Sequence, residues 1–182
     1  VKIVASHAGV TVGEDGGSHQ SLEDIAVMRV LPHMTVIVPA DGVETTQAIE
    51  AVAEHKGPCY VRTGRNKVPT LFGPDYAFKI GKAHVFHEGK DAAIIAAGIM
   101  TAEALKARDI LKAEGIDAGV INMSTIKPLD TGAVLEAARR CGAIVTAEEH
   151  SIIGGLGGAV AEALSESAPA PLVRVGIKAV FG

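Results

Sequence analysis

DAAIIAAGIMTAEALKARDILKAEGIDAGVIN, residues 91–122, reads as one strand–helix–strand unit. Ala92–Ala97 is an uninterrupted apolar run, and Gly119–Asn122 is another. A helix is expected between them, from near Thr101 to Gly115, where glycine ends it. Continuous apolar runs, rather than alternating ones, are the pattern of parallel strands covered by helices on both faces. A helix joining two such strands makes a parallel α/β sheet.

The same grammar extends in both directions. Further strands are expected at Lys2–Ser6, Thr35–Val38, Cys59–Arg62, Ala143–Ala147 and Leu172–Val175. Ser21 to Asp24 fits a capping box, with Ser21 as N-cap and Asp24 three residues on. Leu22, Ile25, Met28 and Leu31 follow at helical spacing, and Pro32 stops the helix. A second helix is expected from Val43 to His55, ended by Gly57-Pro58. Asp130 can cap a fourth, with Val134, Leu135 and Ala138 on its buried face. A fifth should run from about Gly157 to Glu166. Residues 64–77 (GRNKVPTLFGPDYA) carry turn residues and no helical period, which marks a boundary. The unit ahead of it is too small for a complete doubly wound domain. Its beginning is therefore expected to be missing, and the ends at Val1 and Gly182 both read as cut.

Composition bounds the function. Hydrophobic residues make up 48% and charged residues 21%, enough to bury a core and too apolar for disorder. The net charge of -4 and pI near 6.0 argue against a nucleic-acid or anionic-membrane binder. Mean hydropathy is +0.29, yet the most apolar stretch, Ala92 to Ala102, is interrupted by Gly98 and Thr101. It falls far short of the roughly 20 residues that cross a bilayer. Cys59 and Cys141 sit far apart in apolar segments and read as buried free thiols. Met28, Met34, Met100 and Met123 read as packing residues, and His33, His55, His84 and His87 as scattered, solvated ones.

The chemistry concentrates in Ser6–Gln20 (SHAGVTVGEDGGSHQ), between a strand end and the first helix. In open α/β sheets ligands bind beyond the carboxyl ends of strands, so a site is expected there. His7 and His19 can transfer protons or hydrogen-bond a polar substrate near neutral pH. Asp15 can accept from substrate hydroxyls. The competing reading is a surface loop whose glycines make tight turns. A metal site is a third, although His7, Asp15 and His19 match no familiar ligand spacing. Arg62, Arg65 and Lys67 follow the third strand. Arginine suits bidentate contact with phosphate, and a solvated basic turn is the alternative. Gly154–Gly158 (GGLGG) could cradle an anion at a helix N-terminus, but close helix–strand packing fits it better. Glu148, Glu149 and His150 could lie near a ligand or at a subunit contact.

Gly13–Gln20 (GEDGGSHQ), then Arg29-x-x-Pro32-x-Met34 and Pro39-Ala40-Asp41, resemble the GEDGPTHQ … RxxPN … RPAD run of transketolases. The likeness continues in Arg65–Pro69 (RNKVP), Ser124–Asp130 (STIKPLD) and Glu148-Glu149-His150 with the glycines after it. It is in order throughout the chain and looks most like the C-terminal half-subunit of a split transketolase. The resemblance implies that residues 1–72 are the second half of a thiamine-diphosphate pyrimidine-binding domain. Residues 73–77 would be a linker. Residues 78–182 would be a mostly parallel α/β C-terminal transketolase domain lacking its end.

It also implies a cytoplasmic transferase of the pentose phosphate pathway that uses thiamine diphosphate and Mg2+ at a dimer interface. Such an enzyme moves a two-carbon ketol unit from a ketose phosphate to an aldose phosphate. The cofactor carries the hard chemistry. Matched by position, His7 contacts substrate, Asp15 recognises a sugar hydroxyl, His19 lies beside the reacting carbon, and Arg65 grips the sugar phosphate. Gly17 and Ser18 depart mildly from the family's proline and threonine. The family's cofactor-protonating glutamate, its aromatic ring pocket and its diphosphate–Mg2+ motif belong to parts outside this chain. An N-terminal half-subunit is therefore the expected partner, with homodimer-type contacts through the C-terminal half, and the chain alone is expected to be inactive. Two alternatives stand beside this one. A 1-deoxyxylulose-5-phosphate synthase shares much of the loop but usually has Asp-Arg-Ala-Gly where this chain has Ser6-His7-Ala8-Gly9. A non-catalytic association module is the other, and the intact His7, Asp15 and His19 set speaks against it.

Overall fold

The computed structural model describes residues 1–181. Strands β1 (Lys2–Ala5), β2 (Thr35–Ile37) and β3 (Cys59–Arg62) alternate with helices α1 (Asp24–Val30) and α2 (Gly42–Glu54). After an irregular stretch come β4 (His84–His87), β5 (Ala92–Ala96), α3 (Met100–Ala113), β6 (Ala118–Asn122) and β7 (Thr125–Lys127). The chain finishes with α4 (Thr131–Cys141), β8 (Ile144–Ser151), α5 (Leu156–Ser167) and β9 (Leu172–Ile177).

The second sheet has the order β4-β6-β5-β8-β9 and is parallel except for β4. Its centre is the unit read from residues 91–122: Ala92 lies beside Ala118 and Ala96 beside Asn122, both strands buried. The first sheet has the order β1-β3-β2-β7, with β1, β2 and β3 parallel. Its fourth strand comes from beyond the irregular stretch, because β7 pairs antiparallel with β2. One apolar core joins the two sheets: Val36, Val38 and Tyr60 of the first pack in the same cluster as Ala93, Ile95 and Ile121 of the second.

Strands β4 and β7 and the 3-10 turns at Val10–Asp15 are the elements not foreseen. His84–His87 is an edge strand with only partial burial, so it lacks the apolar run that marks the central strands. Thr125–Lys127 is three residues long and becomes a strand only because β2 offers it an edge. The first helix also starts differently. Glu23, not Ser21, precedes it, with no side-chain cap, and Asp24 is drawn away to Tyr60 and Arg62. Asp130 does cap α4, accepting from Ala133 N at 3.2 Å. Cys59 and Cys141 are buried free thiols. Among the described residues no helix is long and apolar enough to cross a membrane.

Glu44, in the first turn of α2, is completely buried and ties the sheets together. It accepts from Ala40 N (2.7 Å), from the Tyr76 hydroxyl (2.6 Å) and from Asn122 Nδ2 (2.8 and 3.1 Å). Tyr76 stacks on Phe72, and His84 and Phe86 complete that aromatic cluster. His84 is thus a packing residue, and burial pushes its pKa below the ordinary histidine value. The solvated reading does not hold for it.

Candidate functional site

β1 and β3 lie side by side with Ala5 opposite Arg62, so the loops leaving their carboxyl ends emerge together. The first loop holds His7, Asp15 and His19, and the second holds Arg65. Within the first loop Val10–Asp15 forms two short 3-10 turns with a kink at Gly13 (φ 74) between them, and the Val12 side chain is buried. This anchor keeps the loop against the body while its polar residues stay exposed.

Arg65 Nη1 donates to Asp15 Oδ2 at 2.9 Å and to Val12 O at 2.7 Å. Asn66 Nδ2 donates to Thr11 O at 2.9 Å. The two loops are therefore cross-linked, and Asp15 and Arg65 form one unit. Their side chains are 40% and 36% exposed, so the pair itself contributes little stability, about 0–1 kcal/mol. Either group can redirect toward a ligand at small cost. His7 adopts a left-handed backbone, φ 64, which a side chain of its size rarely does. Such strain tends to collect at functional positions. His7 Nδ1 shares a hydrogen bond with Ser6 Oγ (2.8 Å), and His19 Nδ1 shares one with Ser18 Oγ (3.0 Å). In both rings Nε2 has no partner among the described residues.

Arg62 turns inward instead. Its Nε donates to Asp24 Oδ2 at 2.9 Å, and its Nη2 donates to Ser21 O and Glu149 O. Tyr60 donates its hydroxyl to the same Asp24 oxygen at 2.6 Å. Burial, reinforced by that carboxylate, holds the Tyr60 phenol well above its ordinary pKa. Position in the chain groups Arg62 with a basic turn; the fold makes it the strut beneath the loop. No sequence signal distinguishes it from Arg65, because the two lie three residues apart and only the strand end separates their directions.

Glu148, Glu149 and His150 end β8 under the same loops. Glu149 accepts from Thr11 N at 2.6 Å. The Glu148 carboxylate accepts from Leu156 N (2.7 Å) and Gly157 N (2.8 Å), at the N-terminus of α5. The GGLGG segment therefore does present a helix N-terminus to a carboxyl group, and that group is the chain's own Glu148. Its glycines also permit close packing, since a Cβ on Gly155 would lie 2.0 Å from Glu148 Oε2. His150 is fully buried, its Nδ1 lies 2.7 Å from Ser151 O, and Ala26 N faces Nε2 at 3.4 Å. That geometry is a neutral ring donating from Nδ1, and burial keeps its pKa low. The 3.7 Å approach to Glu148 is accordingly not an ion pair. Among the described residues no group of three His, Cys, Asp or Glu side chains is placed to hold a metal.

Residues 1–70 match the transketolase pyrimidine-binding domain, and residues 81–182 match the transketolase C-terminal domain. The chain belongs to the transketolase family. Over its full length it is 49% identical to a putative transketolase C-terminal section of Methanocaldococcus jannaschii, covering 58% of that protein. It is 46% identical to a 6-deoxy-6-sulfo-D-fructose transketolase subunit of a Clostridium species, covering 56% of it. A solved split-gene transketolase, described as an inactive beta4 tetramer, superposes with a TM-score of 0.94 at 54% identity; all of this chain and 58% of that one are covered. The chain thus spans a little over half the length of these relatives.

In this chain the Glu148 carboxyl gives a pH-dependent stability. Burial raises its pKa from an ordinary 4.5 to about 7, against the two backbone N–H groups and Arg62 and Arg174, which lower it. Between those pH values the folded chain holds a proton that the unfolded chain has released. Glu148's contribution is therefore greatest at low pH and is lost as pH rises from 4.5 to 7, by on the order of 3 kcal/mol. Glu148→Gln stays neutral throughout. The stability of wild type relative to Glu148→Gln, measured by urea unfolding across pH 4 to 8, is expected to fall through that window; a flat difference would remove Glu148 as its source.

Proposed function

We propose that this chain is the C-terminal section of a transketolase, which transfers a two-carbon ketol unit from a ketose phosphate to an aldose phosphate. Residues 1–72 would form the second half of its pyrimidine-binding domain and residues 78–182 its C-terminal domain, joined through residues 73–77. The observation that carries the reading is the pairing of Asp15 with Arg65 at 2.9 Å, on neighbouring loops with exposed His7 and His19 alongside. A carboxylate beside a guanidinium suits a ligand with both a hydroxyl and a phosphate. Asp15 would accept from the sugar hydroxyl, and Arg65 would bind the phosphate through its remaining donors. His7 would hydrogen-bond the substrate. His19 would hold or move a proton beside the reacting carbon.

Thiamine diphosphate supplies the carbanion chemistry in this family when bound. The glycine-flanked α5 N-terminus that could cradle a diphosphate already holds Glu148, so that place does not fit the diphosphate. An N-terminal section would bring the groups that bind diphosphate and Mg2+, in an assembly with two copies of each, and this section alone would be inactive. The description of the beta4 relative as inactive agrees with that division.

The test mixes the full-length protein with its N-terminal partner, thiamine diphosphate and Mg2+. Sedoheptulose 7-phosphate should form from xylulose 5-phosphate and ribose 5-phosphate. Asp15→Ala and His19→Ala should each lower kcat/KM by roughly a hundredfold. Product formed only from pyruvate and glyceraldehyde 3-phosphate would make the enzyme a deoxyxylulose-phosphate synthase instead. Silence with both pairs would leave an association module.

A further inference from the structure

We propose that Glu149, a residue of the second sheet, is the positioning residue of the substrate loop. Its carboxylate caps the first turn of the kinked 3-10 segment Val10–Asp15 from outside and, through the Arg65 bonds to Val12 O and Asp15, sets where Asp15 and His19 stand. The inference rests on the ketol-transfer reading of that loop.

A helical segment needs an acceptor for its first N–H groups, normally a side chain at the N-cap. Here the N-cap is Gly9, which has none, in a left-handed conformation at φ 92. Glu149 fills the place. Its Oε1 accepts from Thr11 N at 2.6 Å, a charge-assisted bond. A Cβ on Gly9 would lie 2.2 Å from the Glu149 carboxyl carbon, so the carboxylate occupies the space that a cap side chain would need. The segment's own closure is weak, with Val12 N to Gly9 O at 3.5 Å.

Glu149 can act as a reference point because it is itself fixed. It sits on β8, is 7% exposed, and its carbonyl accepts from Arg62 Nη2 at 2.8 Å. The same Nη2 holds Ser21 O, at the far end of the loop. Beyond the kink at Gly13 the chain steps onward by backbone bonds: Gly16 N to Gly13 O (3.0 Å), then His19 N to Gly16 O (2.9 Å). Asn66 and Arg65 grip the opposite side of the segment, at Thr11 O and Val12 O. Loss of the Glu149 bond frees one side of this clamp, and Asp15 and His19 move with it.

The experiment compares Glu149→Ala and Glu149→Gln in the assembled enzyme. Misplacing a substrate contact by about 1 Å costs up to about a hundredfold in rate, so Glu149→Ala should lower kcat/KM for the ketose donor roughly ten- to a hundredfold. Glu149→Gln keeps an acceptor for Thr11 N and should stay within about threefold of wild type. Hydrogen exchange without substrate is the second readout. In Glu149→Ala the amides of Thr11 to Asp15 should exchange about tenfold faster while the amides of β5 and β6 keep their protection. Wild-type kinetics and exchange in Glu149→Ala would overturn the proposal. So would an equal loss in both variants with a lowered unfolding midpoint, which marks a purely structural residue. If the wild-type assembly transfers no ketol unit, the ketol-transfer reading fails, while the exchange at Thr11 to Asp15 still decides the clamp.

Discussion

Glu44→Ala is expected to destabilise the fold by about 3–5 kcal/mol, lowering the unfolding midpoint by roughly 10 °C. The side chain is fully buried, and its two oxygens serve Ala40 N, the Tyr76 hydroxyl and Asn122 Nδ2. Alanine leaves all three donors in the interior without an acceptor. Each such orphan costs about 1–3 kcal/mol, more than the net value of the bond it made. The effect should be cooperative, since Glu44 stands on α2, Tyr76 in the irregular stretch and Asn122 on β6, so one change loosens both sheets. Thermal unfolding followed by circular dichroism measures it. Glu44→Gln keeps the shape and one acceptor and should lose less. A loss below about 1 kcal/mol in Glu44→Ala would show that water replaces the carboxylate.

Arg62→Met should cost a comparable ~3–5 kcal/mol, because it strands a buried carboxylate. The Arg62 and Asp24 side chains are 5% and 10% exposed. Asp24 Oδ1 already lacks a partner, so after the change only the Tyr60 hydroxyl would serve the carboxylate. Removing both charges together is less damaging than removing one. The double variant Arg62→Met/Asp24→Leu should therefore be more stable than Arg62→Met alone, with a coupling of at least about 1 kcal/mol in the double-mutant cycle. Additive losses would mean that the pair does not interact. Arg62 also holds Ser21 O and Glu149 O, so both variants should expose the loop to protease even where they remain folded.

Hydrophobic pattern alone placed the central strands. Ala92–Ala96 and Ala118–Asn122 fill both faces of their sheet with small apolar residues, and that requirement is written into the chain. The helices were legible for a similar reason: Gly57, Gly115 and Pro32 stop them, and Asp130 starts one. The loop of His7, Asp15 and His19 was legible because it gathers polar residues and glycines between two regular elements. The adjacent loop bearing Arg65 was visible too, but its pairing with Asp15 was not.

Partners far apart in the chain were settled by the fold alone. Ser21-x-x-Asp24 is a sound capping pattern, yet Asp24 answers to Arg62, because a buried guanidinium outweighs a cap worth about 1 kcal/mol. The GGLGG anion site is real in form but already filled by Glu148, brought there by β8. Strand β7 exists because β2 presents an unpaired edge, a demand that no window of sequence around Thr125 records. Local periodicity and solvation dictate which segments must be buried and where the polar loop must lie. The fold determined which buried charge meets which donor, since that depends on contacts between residues tens of positions apart, each settled by the cost of leaving a polar group unpaired.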